Sequence, residues 1–365
     1  MLKACGKVLS RKSLRCIAVP PAMSINHQGG TVPFEIQSWE NISANYKDTI
    51  LLGNGASIAV DPRFEYTSIL QHVLDRDMLS NDVQQLFKFF QTCDFELILR
   101  LVWQASNVNT ALQIPDERTH SAYLSVRESL IQAVRDIHPQ YNDISEKLPN
   151  IYSFLKNFNT IISLNYDLIV YWAITYGLDI QDQHSFKDCF IHGHFDENWQ
   201  RFRKSINSHD KSVTLVFYPH GNLILCRTTI GQESKIDAQG IRLLESILNL
   251  WEKAQIIPLF VSEGTTCQKV SAIQNSYYLS TIYREVLPSQ KYNLTIYGWG
   301  FGEHDIHILQ KMAHTGIQRV AISVFRNDQA YCNKSYQIIR ERLGSNVHID
   351  FFDCESDGCW NHDFN

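Results

Sequence analysis

Short runs of apolar and β-branched residues alternate with longer amphipathic stretches from residue 48 to about 352. The runs at 49–52, 160–164, 213–218, 257–261, 294–297, 320–325 and 348–352 predict strands. They are apolar on both faces, as parallel strands are when helices cover the sheet on each side. Apolar positions recurring every three or four residues predict helices near 66–73, 83–91, 94–106, 119–137, 146–157, 167–176, 238–254, 268–286, 304–314 and 330–343. The first strand and the one at 160 are separated by about a hundred residues with helical periodicity and no good strand.

That order predicts an α/β chain: a Rossmann-like, doubly wound, mostly parallel sheet with a helical insertion at about 65–157, after the first βα turn. The chain divides into an N-terminal extension (1–45, partly disordered), one Rossmann domain (46–352) and a polar, peripheral tail (353–365). In such folds ligands bind outside the carboxyl ends of the strands. The insertion is therefore well placed to cover that crevice.

Composition narrows the function classes. The 365 residues are 44% hydrophobic and 19% charged, which suits a globular core. A net charge of −5 argues against a general nucleic-acid-binding role. No apolar run approaches ~20 residues, so no membrane span is expected. Nine cysteines without a C-x-x-C pair fit reduced cytoplasmic thiols. The first 23 residues carry Lys3, Lys7, Arg11, Lys12 and Arg15, with no acid before Glu35. They lack the continuous apolar core of a secretory signal and read as a basic extension upstream of a start at Met23.

Four strand ends carry polar residues where a bland strand would end in a generic turn. The first is Gly53-Asn54-Gly55-Ala56-Ser57, followed by Asp61-Pro62-Arg63-Phe64. Its two glycines permit a sharp turn and close backbone approach to a ligand at a helix start. The second is Asn165-Tyr166-Asp167, whose residue types equally suit a helix cap. The third is Tyr218-Pro219-His220-Gly221-Asn222, and the fourth runs from Gly298-Trp299-Gly300 to Glu303-His304-Asp305. Each has a dull explanation alone, but as ends of one sheet they converge on one crevice. A second His-Gly pair, His192-Gly193, competes with His220. The stronger strand precedes His220, and the choice falls there.

The order of these motifs resembles the sirtuin-like superfamily of NAD-binding proteins, over roughly residues 48–326. In that family a Gly-rich phosphate loop is followed by an Asn-x-Asp motif, a His-Gly motif and a late glycine loop on the adenosine side. The chain most resembles a bacterial branch of unknown-function domains with a Tyr-x-His-Gly-x-Leu strand end, a Val-x-Glu-Gly-Thr segment (here 261–265) and an Asp-x-His-Ile (here 305–308). The zinc module of protein-deacylating sirtuins has no counterpart here, because paired cysteines at ligand spacing are absent. Cys354, Cys359 and His362 make at most a partial ligand set, and no metal is expected.

The resemblance implies an NAD+ hydrolase releasing nicotinamide and ADP-ribose, of the kind used as regulated effectors in bacterial antiviral defence. NAD is then substrate, and a homo-oligomer or an activating partner protein would hold activity in check. Gly53, Asn54, Gly55, Ala56 and Ser57 would hold the diphosphate. Asn165 would bind the nicotinamide ribose or the attacking water, and Asp167 would place charge near the developing cation. His220 would act as general base, Phe64 would close over the nicotinamide, and Gly298, Trp299, Gly300, Glu303 and Asp305 would meet the adenosine. A nucleotide sensor without turnover, or an ADP-ribosyl transferase or deacylase, would use the same site.

Overall fold

The computed structural model describes residues 33–363, apart from 66–67, 205–211, 229–230, 237–241, 254–255 and 262–263. Phe34–Asn365 forms one compact unit. The strands are β1 (Ile36–Gln37), β2 (Thr49–Leu52), β3 (Thr160–Ser163), β4 (His184–Lys187), β5 (Phe190–Ile191), β6 (His194–Phe195) and β7 (Ser212–Phe217). They continue with β8 (Gly221–Thr228), β9 (Glu233–Lys235), β10 (Ile256–Phe260), β11 (Tyr292–Tyr297), β12 (Ile317–Val324) and β13 (His348–Asp353).

Eight strands form the main sheet in the order β1-β13-β12-β11-β2-β3-β7-β4, and every neighbouring pair is parallel. This is the doubly wound α/β fold that the alternation predicts. The chain order reverses at β2, which has β3 on one side and β11 on the other. All four β2 residues are buried, as a central strand requires, and the Thr49 hydroxyl donates to Gln290 Oε1 at 2.6 Å.

Helices fill the insertion. Asp94 caps Phe95–Ala111 by accepting from the Leu97 N–H, and Asp116 caps Glu117–Ile137 by accepting from the Thr119 N–H. The buried faces follow helical spacing, with Phe95, Ile98, Leu99 and Val102 on one and Tyr123, Val126, Leu130 and Val134 on the other.

The structure departs from the sequence reading in three places. The run at 257–261 does not join the parallel sheet; β10 pairs antiparallel with β8 in a separate three-stranded sheet, β10-β8-β9. An apolar run says that a strand is buried, not which strand it pairs with, and no strand is expected from sequence at β8. The tail expected at the periphery is partly core: Trp360 is buried against Tyr297 (ring centroids 5.5 Å apart), and its indole Nε1 donates to Ala56 O at 2.9 Å. The stretch before residue 46 contributes an edge strand, β1, and the buried Trp39 to the same unit. The basic stretch 1–23 lies outside the described residues.

Candidate functional site

Register brings the four polar strand ends together. Leu52 lies level with Tyr297 on one side and Ser163 on the other, while Ile162 pairs with Phe217. β11, β2, β3 and β7 are consecutive neighbours, so their loops leave the sheet side by side, about 4.8 Å apart. Above them opens a cavity of about 1360 Å³. One half is lined by Asn165, Tyr166, Asp167, His220 and Lys269, and the other by Trp299, Ser323, Phe325, Asp328, Tyr331 and Glu355. Gly53, Gly55 and Gly298 lie where the halves meet, at the reversal of strand order.

The glycine turn is built differently from a free phosphate loop. The Gly53 N–H donates to Tyr297 O (2.9 Å), the Gly55 N–H to Gly298 O (2.6 Å) and the Ala56 N–H to Gly53 O (2.9 Å). A Cβ on Gly55 would lie 2.7 Å from Gly298 O, and one on Gly298, at φ +66, would lie 2.3 Å from the Ala56 nitrogen. Glycine is required at 55 and 298 because two protein turns interlock. The amides of Gly55 and Ala56, expected to face a diphosphate, are spent within the protein. Ala56 and Ser57 are buried and do not line the cavity.

Asn165 and Asp167 are tied into that turn. Asn165 Nδ2 donates to Gly53 O (3.0 Å) and Ser57 Oγ (2.9 Å), leaving its Oδ1 as the acceptor without a partner among the described residues. Ser57 Oγ donates to Asp167 Oδ2 (2.5 Å), and Asp167 Oδ1 accepts from the Ile169 N–H (2.9 Å). Asp167 precedes the N-cap position, Leu168, of the helix Ile169–Asp179, and its carboxylate holds the first helical N–H while the residue lines the cavity. Burial pushes the Asp167 carboxyl up, with Ser57 and the Ile169 N–H working against it.

His220 occupies the tight connection between β7 and β8. The Gly221 N–H donates to Tyr218 O (2.9 Å), closing a turn with Pro219 at its second position. Gly221 sits at φ +78, where a Cβ would strike Leu259 O at 2.2 Å. His220 is 4% exposed, and burial pulls its pKa down to about 3, so the ring is neutral at neutral pH. Its Nε2 is buried and has no hydrogen-bond partner among the described residues. His192, by contrast, is exposed in the two-residue link between β5 and β6 and does not line the cavity.

Phe64 is buried at the cavity wall, edge-on to His138 with ring centroids 5.3 Å apart. Asn54 lines the cavity, and its Nδ2 donates to Phe64 O. Trp299 and Gly300 line the other half. Of the two acids expected at the adenosine, Asp305 lines the cavity and Glu303 does not. Glu303 is exposed and outside the lining. Asp305 lies beside His220, with its Oδ1 3.8 Å from His220 Nε2 and 2.7 Å from Lys269 Nζ. Burial pushes the Asp305 carboxyl up, but His220, Lys269 and His307 outweigh that and hold it below the usual range.

Among the described residues, one group of potential metal ligands comes together: His220, Asp305 and His307, with ligand atoms within 4.8 Å of one another. Asp305 already pairs with the Lys269 ammonium. Cys354 and His362 line the cavity, but Cys359 does not, and the three make no such group. Sequence reading missed Lys269 and His307. The signal for His307 was the Asp-x-His spacing, which puts two polar groups near one helix start. Lys269 follows its capping residue Thr265 by four positions and carried no signal of its own.

The chain matches the model of the family described as Domain of unknown function (DUF4917) over residues 50–360. It belongs to that family. No curated protein matches it. The matched span includes the cavity residues from Gly53 to Glu355 and ends two residues before His362.

Proposed function

We propose that this protein is an NAD+ glycohydrolase that cleaves the nicotinamide–ribose bond. The observation that carries the reading is the single cavity across the carboxyl ends of β11, β2, β3 and β7. It straddles the reversal of strand order and is lined by Asn165 and His220 together with both glycine turns. Drug-sized ligands occupy pockets of about 300–1,000 Å³; this one, at about 1360 Å³, has room for a dinucleotide spanning both halves.

In this reading the reaction passes through an oxocarbenium-like state. The C–N bonding pair leaves with nicotinamide, and water adds to the ribose carbon. His220 takes the water's proton, a service worth ~10²–10⁴ in rate when the base is positioned. Asn165 orients the water or a ribose hydroxyl through Oδ1, since both of its N–H bonds are already used. Asp167, fixed by Ser57 and Ile169, acts on the developing cation through its charge.

The spent amides of Gly55 and Ala56 support a held-back state, in which the Gly298 turn must shift before a diphosphate can use them. A second reading, a regulator that binds NAD or ADP-ribose without turnover, is favoured by the low basicity of the buried His220 ring, whose pKa is pulled down to about 3. Incubation with NAD+, following nicotinamide and ADP-ribose by chromatography, separates the two. Wild type is expected to release both products, Asn165→Ala and His220→Ala to lose about 10²-fold or more, and His192→Ala to match wild type. Normal product formation by Asn165→Ala would remove the assigned chemistry, and NAD binding with no turnover would move the assignment to the regulator.

A further inference from the structure

The cluster around His220 has a geometry that an adenosine site does not explain. Asp305 Oδ1 is 3.8 Å from His220 Nε2 and 2.7 Å from Lys269 Nζ. Lys269 is 6% exposed, an unusual position for an ammonium unless it is paired. Behind them, the His307 ring centroid is 5.5 Å from that of His220, and both His307 ring nitrogens are buried without hydrogen bonds.

A neutral imidazole has one N–H and one lone pair. His220, Lys269 and Asp305 all line the cavity; Nε2 of His220 is buried 3.8 Å from Asp305 Oδ1, whereas Nδ1 is not among the buried unpaired atoms, so Nδ1 is the nitrogen left to meet a ligand. The Asp305 carboxylate, 3.8 Å from Nε2, is beyond hydrogen-bond reach and acts through its charge, which favours the proton on that nitrogen. Lys269 holds that carboxylate in place and compensates its charge.

We propose that Asp305, anchored by Lys269, is a positioning residue for His220: it fixes the Nε2–H tautomer and so aims the Nδ1 lone pair into the cavity. This inference rests on the NAD-cleaving reading and assigns Asp305 to the base rather than to the adenosine. As the C–N bond breaks with its pair going to nicotinamide, a water oxygen bonds to the ribose carbon. The displaced water proton passes to Nδ1 and then to solvent. The imidazolium formed faces Asp305.

The charges around the ring fit this assignment. Asp305 is the neighbour that raises the basicity of His220, whereas burial, Lys269 and His307 lower it. Removing the carboxylate therefore weakens the base as well as freeing its tautomer. A divalent cation is a poorer occupant, because it would join the Lys269 ammonium in burying two cations against one carboxylate.

The test combines ¹⁵N-edited NMR of the histidine rings at pH 7 with steady-state nicotinamide release, on wild type, Asp305→Asn, Asp305→Glu and Lys269→Met. The expected result is an Nε2–H tautomer for His220 in wild type that is lost in Asp305→Asn. In that variant kcat falls about 10²-fold with KM nearly unchanged, and Asp305→Glu restores part of it. An Nδ1–H tautomer in wild type overturns the proposal, whether or not any variant folds. So does a rise in KM with kcat kept, which would return Asp305 to substrate binding. A His220 signal that changes on adding EDTA would assign the cluster to an ion and also overturn it. An inactive wild type that still shows the Asp305-dependent tautomer would sustain the pairing and reject only the NAD chemistry.

Discussion

Two buried polar clusters face each other across this molecule's logic. At the first, each nitrogen of Arg227 is paired: Nη1 donates to Glu96 (3.0 Å), Nε to Glu233 (3.2 Å) and Nη2 to Asn275 O (3.1 Å). Glu233 also accepts from the Tyr278 N–H. This cluster joins the helical insertion, through Glu96, to β8 and β9. At the second, His220 Nε2 and both nitrogens of His307 are buried without partners. Buried polar groups left unpaired cost roughly 1–3 kcal/mol each, so a fold retains them where something else will pair with them. Vacancy alone does not mark a site, since Trp251 Nε1 and Arg127 Nε are also buried without partners among the described residues and do not line the cavity; His220 differs in standing at the cavity wall. His138 confirms the contrast within one residue type: it is as buried as His220, yet Nδ1–H donates to Pro139 O and Nε2 accepts from the Leu168 N–H.

The sharpest way to break this comparison is to remove the scaffold cation. Arg227→Met should destabilise the protein by about 3–5 kcal/mol, because Glu96 and Glu233 are left buried without their partner. Burial already pushes the Glu96 carboxyl up despite Arg227 and Arg100. Urea unfolding would show it as a lower midpoint with a similar slope. A loss under about 1 kcal/mol would mean that the cluster is no more than a surface pair and that pairing at every nitrogen does not mark a scaffold.

A smaller effect separates the clusters by pH. Burial lowers His220 to about 3, and lowers His307 and His138 to about 4, from an unfolded value near 6.5. With the folded pKa depressed, the unfolded chain binds more protons below pH 6.5. The stability these rings contribute is therefore complete above 6.5 and lost as pH falls toward 4. Each ring should contribute a slope on the order of 1 kcal/mol per pH unit in that window. His307→Gln, which cannot be protonated there, should flatten the slope measured by urea unfolding at pH 7, 6 and 5. An unchanged slope would show that His307 is hydrated and ordinary in solution.

What the sequence disclosed followed from local chemistry. Strands β2, β3, β7, β11, β12 and β13 were legible because each is a buried apolar run with a clear end. The convergence of residues 53, 165, 220 and 298 followed from counting polar strand ends. What stayed hidden depends on partners distant in the chain. β8 is hidden because Gly221 and Asn222 look like the polar end of the preceding strand, yet Asn222 is buried and its Nδ2 donates to Asp167 O at 2.6 Å. Gly55 reads the same whether its neighbour is a phosphate or Gly298 O, and only coordinates distinguish the two. Asp305 likewise looked like a capping acid or a ribose ligand until Lys269, 36 residues away, was placed against it.

The smallest expected effect concerns how the insertion meets the cavity. Gln91 ends the helix Asn81–Phe90 in a left-handed conformation (φ +49), lines the cavity, and accepts at its carbonyl from Gln268 Nε2 at 2.8 Å. Gln268 also closes a capping box with Thr265 through its Oε1 (2.9 Å). One side chain thus caps its own helix and tethers the insertion. Gln268→Glu separates the two roles: a carboxylate still accepts from the Thr265 N–H but cannot donate to Gln91 O. Global stability should fall by about 0.5–1.5 kcal/mol, the ordinary worth of one hydrogen bond, while amide exchange at residues 91–95 quickens. If the exchange of that stretch is unchanged, the insertion is held to the cavity rim by packing and by the Arg227 cluster alone. The tether would then belong with the scaffold rather than with the site.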